Sequence, residues 1–395
     1  MALIITRAAS SVHPHARQLV LPHASRLLPG LTQVAHLTST HGEPAERKYA
    51  PWPYKKRPYN EFWQFFDHTR KRFDDNSKII LVEGNLAVGK SAFAQKLAHE
   101  FDMAYIPDFK DTEAFITGEN FDKRSLNEQL PARVKFCDIK TFYEHKEHPL
   151  MLKNFGRTLL TMYMQHFLKY AQALEHLLNT GQGVVMERGV YSHTVFYNVL
   201  RKVGQLSPEA FRYLNFVYDN TICEMWRPHL VIYLDAPVDY VRKQITRRAN
   251  LWEVGSPIIT DEFLKLVETT YKEKYLPQMR KYSDVMTVDM VDLPDWDMLI
   301  EDLEKRDLDT QPFDEDDKFK DWQSEFEDDF NRMRMDLAKK WQVENRFSMA
   351  LPYDAPELIV HIDDYPIYKK IVEEHPEVKY RPGYNPDKYN VMLKW

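Results

Sequence analysis

The chain has 395 residues, 44% of them hydrophobic and 13% aromatic, with a formal net charge of −6. Such a composition supplies a sizeable core and excludes a disordered chain, while the acidic balance argues against nucleic-acid binding. The two cysteines, Cys137 and Cys223, cannot supply the four thiolates of an ordinary iron–sulfur cluster, and both read as reduced structural thiols.

Residues 1–42 carry Arg7, Arg17 and Arg26 among Ser, Thr, His and Leu, with no acid before Glu43. That is the pattern of a mitochondrial transit peptide; a basic tail without a targeting role is the other reading. The apolar run Ala2–Ile5 is too short for a secretory core, and no run approaches the roughly 18 apolar residues of a membrane span. Residues 43–77 form an aromatic and basic arm in which Pro51, Pro53 and Pro58 enforce extended backbone. Such an arm lies either on a partner or back over its own domain.

From Lys78 onward short apolar runs alternate with helical patterns, which predicts an α/β fold with a five-stranded parallel sheet covered on both faces over residues 78–305. The expected strands are Ile79–Val82, Ala104–Ile106, Gly183–Met186, Leu230–Leu234 and Val285–Val288. Between them a long helix around Leu159–Leu178 repeats apolar residues every three or four positions and stops at Gly181.

The first strand runs into Gly84-Asn85-Leu86-Ala87-Val88-Gly89-Lys90-Ser91, the full G-x-x-x-x-G-K-[ST] spacing. Glycines there let backbone N–H groups approach phosphate oxygens, Lys90 brings a point charge to them, and the Ser91 hydroxyl ligates Mg²⁺. Gly84, Asn85, Gly89, Lys90 and Ser91 are therefore the candidate nucleotide-binding residues. A second constellation, "VVMERGVYS", ends a buried strand on Glu187 and Arg188, at the sheet edge where open α/β folds hold ligands. A third, "LVIYLDAPVDYVRKQITRRANLWE", leads from a strand into a basic helix carrying Arg242, Lys243, Arg247 and Arg248. An arginine in such a lid steadies phosphate, although a solvated helix face explains the same run.

Together these stretches resemble the deoxynucleoside kinase family, which implies a P-loop nucleoside/nucleotide-kinase-like three-layer fold. The presequence, the "GNLAVGKS" loop, the Glu-Arg-Gly variant and the Tyr/Pro-rich tail are similar, more closely, to the kinase-like accessory subunits of mitochondrial respiratory complex I. In the kinases the second strand ends in Glu-Pro, whose carboxylate is the general base. The matching "AYIPDF" here puts Ile106 at that place, with Asp108 two residues on. Gly189 stands where the family has Ser, and Arg247-Arg248 are followed by Ala249, Asn250, Leu251 and Trp252 before the acid Glu253. The stretch "YMQHF" resembles the helix whose Gln reads the base edge, which would give Gln165 that role. A Gln bonded within the core or facing solvent is the alternative.

Residues 306–395 add an acidic stretch, a helical pattern to about Trp341 and a Tyr/Pro-rich extension, read as an arm that packs on the core or on a partner. The resemblance implies a matrix protein, peripheral to the inner membrane, whose partners are other complex I subunits. It implies ATP or a deoxynucleotide with Mg²⁺ as ligand. FAD ranks below, since no G-x-G-x-x-G follows a strand. The expectation is a non-catalytic accessory subunit with a retained nucleotide loop. The alternative is an active mitochondrial deoxynucleoside kinase using ATP, in which Asp108, Glu187 and Arg188 would serve catalysis.

Overall fold

The computed structural model describes residues 36–44, 47, 49–117, 120–144, 149–309, 318–324, 326–380 and 384–388. Most of the expected transit peptide, residues 1–35, lies outside them. Five strands form one sheet: β1 (Ile79–Gly84), β2 (Ala104–Ile106), β3 (Val184–Glu187), β4 (Leu230–Asp235) and β5 (Asp284–Asp289), in the order β2-β3-β1-β4-β5 with every pairing parallel. All six residues of β1 are buried, as a strand covered on both faces requires, and this is why Ile79–Val82 reads as an apolar run, with Glu83 the one acid that follows it. Register pairs Val82 with Glu187 and Gly84 with Leu234, so the C-terminal ends of β1, β3 and β4 meet at one edge.

The crossovers are helical: α1 (Lys90–Glu100), α2 (Pro149–Thr180), α3 (His193–Lys202), α4 (Pro208–Ile222), α5 (Val238–Arg248), α6 (Asp261–Thr270) and α7 (Trp296–Glu304). Local signals set their ends. The Ser207 hydroxyl accepts from Ala210 N–H with Pro208 in the first turn of α4, and the Thr260 hydroxyl accepts from Phe263 N–H at the start of α6. Gly181, at φ +76°, closes α2 where a side chain would meet the Arg72 carbonyl. Helix α2 begins at Pro149, ten residues before the apolar repeat becomes regular, because Lys153, Asn154, Arg157 and Thr158 interrupt that repeat.

The core does not stop at residue 305. Leu308, Phe319 and Leu358 join it, together with Phe330 and Leu337 of α8 (Glu327–Ala338) and Val343 of α9 (Lys340–Asn345). The N-terminal arm folds back over its own domain: Trp52 N–H donates to the Asn179 carbonyl at 2.8 Å, and the Tyr59 hydroxyl donates to Asn331 Oδ1 at 2.8 Å. Arg334 of α8, with a side chain 0% exposed, clamps arm to helix by pairing with Asp67, donating to Thr69 and Asn179, and stacking on Tyr59. Leu37 is also buried in the main core, and His36 bridges to Asp307. A satellite cluster of Leu126, Leu130, Val134 and Val372 holds the C-terminal extension down. Among the described residues no helix is long and apolar enough to cross a membrane.

Candidate functional site

The loop between β1 and α1 wraps the start of the helix as its spacing predicts. Gly84 (φ +153°) lies so close to β4 that a Cβ would sit 2.9 Å from the Leu234 carbonyl oxygen, and Gly89 (φ +101°) caps α1 in the left-handed region. Asn85 braces the loop: its amide donates to the Leu264 carbonyl of α6 at 3.0 Å, and its oxygen accepts from Leu86 N–H at 2.8 Å. Lys90 is buried and folded inward, its ammonium donating to the Asn85 carbonyl at 2.7 Å and the Gly84 carbonyl at 3.3 Å. Burial, reinforced by the nearby Arg188 guanidinium, lowers its pKa to about 8 against the pull of Asp108, Glu187 and Glu83.

Across the loop, the Ser91 hydroxyl donates to Glu187 Oε1 at 2.6 Å, and Glu187 Oε2 accepts from the Tyr105 hydroxyl at 3.1 Å. This hydroxyl and carboxylate form an oxygen-only donor pair at the phosphate end of the site, and they suit a Mg²⁺ carried in by nucleotide phosphates. Arg188 follows at φ +61°, a left-handed conformation costly for any residue with a Cβ and held here by its N–H bond to the Val82 carbonyl at 3.0 Å. Its guanidinium lies 3.8 Å from Asp108 Oδ2 and over the Phe196 ring.

Asp108 is engaged on two sides, because its other oxygen meets His166 Nε2 at 2.7 Å, and His166 in turn contacts His193 through a 2.8 Å ring-nitrogen bond. Burial alone would raise the Asp108 pKa, but Arg188, His166 and Lys90 outweigh it and hold the carboxyl well below the usual range. Ile106, two residues earlier, ends β2 and packs partly on the core.

Behind the loop lies a group that the sequence motifs do not single out. Glu83, 0% exposed inside β1, accepts from Gly189 N–H at 2.7 Å and from the hydroxyls of Tyr271 (3.0 Å) and Tyr275 (3.3 Å). Both tyrosines belong to a π-turn, Tyr271–Tyr275, that continues α6 and aims them at one carboxyl. Burial raises the Glu83 pKa. Gly189 has a packing reason as well, since a Cβ there would lie 2.4 Å from Leu81 Cδ1. The signal available in the sequence was the lone acid inside an otherwise apolar strand run. The His166 and His193 pair had none, since each sits on a separate helix.

The fold thus brings Lys90, Ser91, Asp108, Glu187 and Arg188 into one cluster at the sheet edge. It does not bring the lid arginines there through side-chain bonds: Arg248 pairs with Glu253 at 3.1 Å, and Arg247 is exposed with no ion pair among the described residues. Arg242 is held by Asp261 and the Ile259 carbonyl. Gln165 faces a separate cavity of about 530 Å³ beside α2, shared with Phe115, Thr161 and the C-terminal extension.

A parallel sheet with its phosphate loop on the central strand, flanked by a strand-end Glu-Arg pair, defines a P-loop protein of the nucleoside-kinase type. The deoxynucleoside kinase family model matches residues 80–346. Bovine NADH dehydrogenase (ubiquinone) 1 alpha subcomplex subunit 10 is 31% identical over 333 residues, covering 82% of this chain and 88% of that one. Deoxyguanosine kinase of Dictyostelium discoideum is 23% identical over 236 residues, covering 60% and 72%. Among solved structures, deoxyadenosine kinase from M. mycoides with bound dATP is similar at 16% identity and a TM-score of 0.40, over 56% of this chain and 95% of that one. The chain belongs to the deoxynucleoside kinase family, and to the group within it that includes NADH dehydrogenase (ubiquinone) 1 alpha subcomplex subunit 10.

Proposed function

We propose that the protein is an accessory subunit of mitochondrial complex I, NADH:ubiquinone oxidoreductase, which binds a nucleotide in its phosphate loop and transfers no phosphate at a useful rate. The complex I assignment draws on the similarity to the mitochondrial bovine subunit across most of both chains, and from that assignment we infer a place in the matrix beside the inner membrane. Nucleotide binding draws on the intact loop, with Lys90 and the backbone N–H groups as the phosphate contacts and Ser91 with Glu187 as the Mg²⁺ side. Gln165 would read the base. FAD ranks below, for want of a dinucleotide fingerprint.

The observation that carries the non-catalytic reading is the end of β2. By the resemblance, an apolar residue, Ile106, stands where the family has its general base, and the neighbouring carboxylate of Asp108 is committed to Arg188 and His166 with its pKa lowered. A general base works best with a pKa near the operating pH and free reach to the hydroxyl it deprotonates. Asp108 meets neither condition.

The test has two arms on the protein purified from mitochondria. Native electrophoresis should place it with complex I, and mass spectrometry of the released ligand should find a nucleotide. Assays with ATP, Mg²⁺ and each of the four deoxynucleosides should give no turnover above a Lys90→Ala control. Turnover abolished by that substitution would make the protein an active mitochondrial deoxynucleoside kinase instead.

A further inference from the structure

The C-terminal extension does more than cover surface. Val372 is buried among Leu126, Leu130 and Val134, His375 stacks on Phe121 with ring centroids 4.5 Å apart, and Tyr368 packs beside Phe136. Beyond these anchors the chain is tied to itself: the Asn385 amide donates to the Pro376 carbonyl at 3.4 Å, and Lys379 pairs with Asp387 at 2.7 Å. This folded strap supplies Tyr368, Tyr380, Tyr384 and Asn385 to the cavity that Gln165 and Thr161 line from α2. Three cations, Lys123, Lys135 and Arg157, and two carboxylates, Glu113 and Glu377, also line that cavity; Lys123 and Arg157 have no ion pair among the described residues, Arg157 donating to the Arg133 carbonyl at 3.4 Å, and burial lowers the pKa of both. A half-buried cation with no carboxylate paired to it is stabilised by a ligand rich in acceptors.

We propose that the strap formed by residues 368–380 and 384–388 is the removable outer wall of the base cavity, so that a nucleobase-bearing ligand enters only when the strap lifts and touches Tyr380, Tyr384 and Asn385 once it closes. The ligand half of this rests on the nucleotide-binding reading given above; the wall itself does not. A kinase fold of this type needs an open nucleoside cleft for turnover, whereas a strap anchored in a hydrophobic cluster of its own favours slow exchange and long residence. Ligand binding and strap docking then stabilise each other by the same factor, as linkage requires.

Cys137 gives a readout that needs no ligand. It lines the cavity, is buried, and has a pKa pushed up to about 12 by burial. The other thiol, Cys223, is exposed, so a Cys223→Ser background leaves one reporter. Val372→Asp puts a charge into the satellite cluster and should release the strap. Hydrogen exchange across residues 368–380 should rise, and Cys137 labelling by a neutral disulfide reagent should accelerate at least tenfold. Tyr384→Ala, which leaves the anchoring cluster intact, should give a smaller acceleration and guards against a general folding defect in the first variant. In the Cys223→Ser protein with the strap intact, saturating deoxynucleoside should slow labelling and raise strap protection. Labelling that stays unchanged while hydrogen exchange reports a released strap would overturn the wall. Faster labelling in both variants with no effect of any deoxynucleoside would keep the wall and remove the base-binding reading.

Discussion

Lys90 is the residue on which the proposed nucleotide binding turns, and its resting position makes the prediction specific. With its ammonium on the Gly84 and Asn85 carbonyls, it is pre-placed at the loop and held there by neutral acceptors that phosphate oxygens would outcompete. Lys90→Ala should weaken nucleotide binding by about 1.5–3 kcal/mol, the range for a hydrogen bond to a charged group. Because burial sets its pKa at about 8, the unliganded protein loses this cation as pH rises through that value. Affinity should be flat below neutrality and fall by up to about tenfold per pH unit above it, and titration calorimetry should find this fall missing in Lys90→Ala. Asp108 answers to a different pressure. Asp108→Asn leaves the Arg188 guanidinium without its carboxylate and should cost about 3 kcal/mol, the low end for breaking a buried pair, since Asp108 keeps 28% exposure. Its folded pKa is depressed, so this contribution is complete above the unfolded value near 4 and is lost as pH falls through the lower folded value. Urea melts of both proteins should therefore begin to approach each other as pH falls below about 4 and meet only in strong acid; a constant gap down to strong acid would remove the ion pair from the account.

At the scale of elements, what could be read in the sequence followed the range of the interactions that fix it. The strands were legible because each carries a short apolar run, as buried parallel strands do, and β1 to β5 stand where those runs lie, each within a residue or two at its ends. The phosphate loop was legible because its function constrains residues next to each other in sequence. The extensions were not, because their packing depends on partners far apart in the chain. Nothing near Asp67 announces that Arg334 will meet it, and nothing near Val372 announces the pocket of Leu126 and Leu130. For the same reason the Asp108 and His166 contact was hidden: Asp108 was visible as a carboxylate near the base position, but its engagement by a helix face was not. The clamp at Arg334 can be tested directly. Arg334→Met keeps the length and apolar stem while deleting the bonds to Asp67, Thr69 and Asn179. Asp67 retains Arg72, which tempers the loss, so a destabilisation of about 3 kcal/mol is expected, with faster proteolysis of the arm before the sheet opens. A loss below about 1 kcal/mol would mean that Tyr59 and Trp52 hold the arm by burial alone.

For the whole molecule, the arm, the acidic helix and the tail are part of the architecture, and this changes how import and assembly are to be probed. Leu37 in the core and the Thr40 N–H bond to the Glu100 carbonyl at 2.9 Å make residues from His36 onward useful to the folded protein. If the leader is removed on import, N-terminal sequencing should find a start at or before His36, and a start beyond His41 would contradict that packing. Deleting residues 343–395 would strip Val343 and Leu358 from the core, so loss of assembly after that deletion would not separate docking from folding. The decisive comparison is of activity in the intact chain. Ile106→Glu restores the carboxylate that the family places at the end of β2, beside Lys90, Ser91, Glu187 and Arg188, which are already gathered at that edge. A missing general base typically costs about 10²–10⁴-fold, so if that one position limits the rate, the variant should gain turnover on deoxynucleosides with ATP and Mg²⁺ by at least the lower of those factors. Gly189 sets a second limit, because the family's Ser would have to displace Leu81. Ile106→Glu with no gain, in a variant that still binds nucleotide, would shift the block to the strap and the lid. Turnover in the unaltered chain equal to that of Ile106→Glu would show that Asp108 already serves as base despite its bonds to His166 and Arg188.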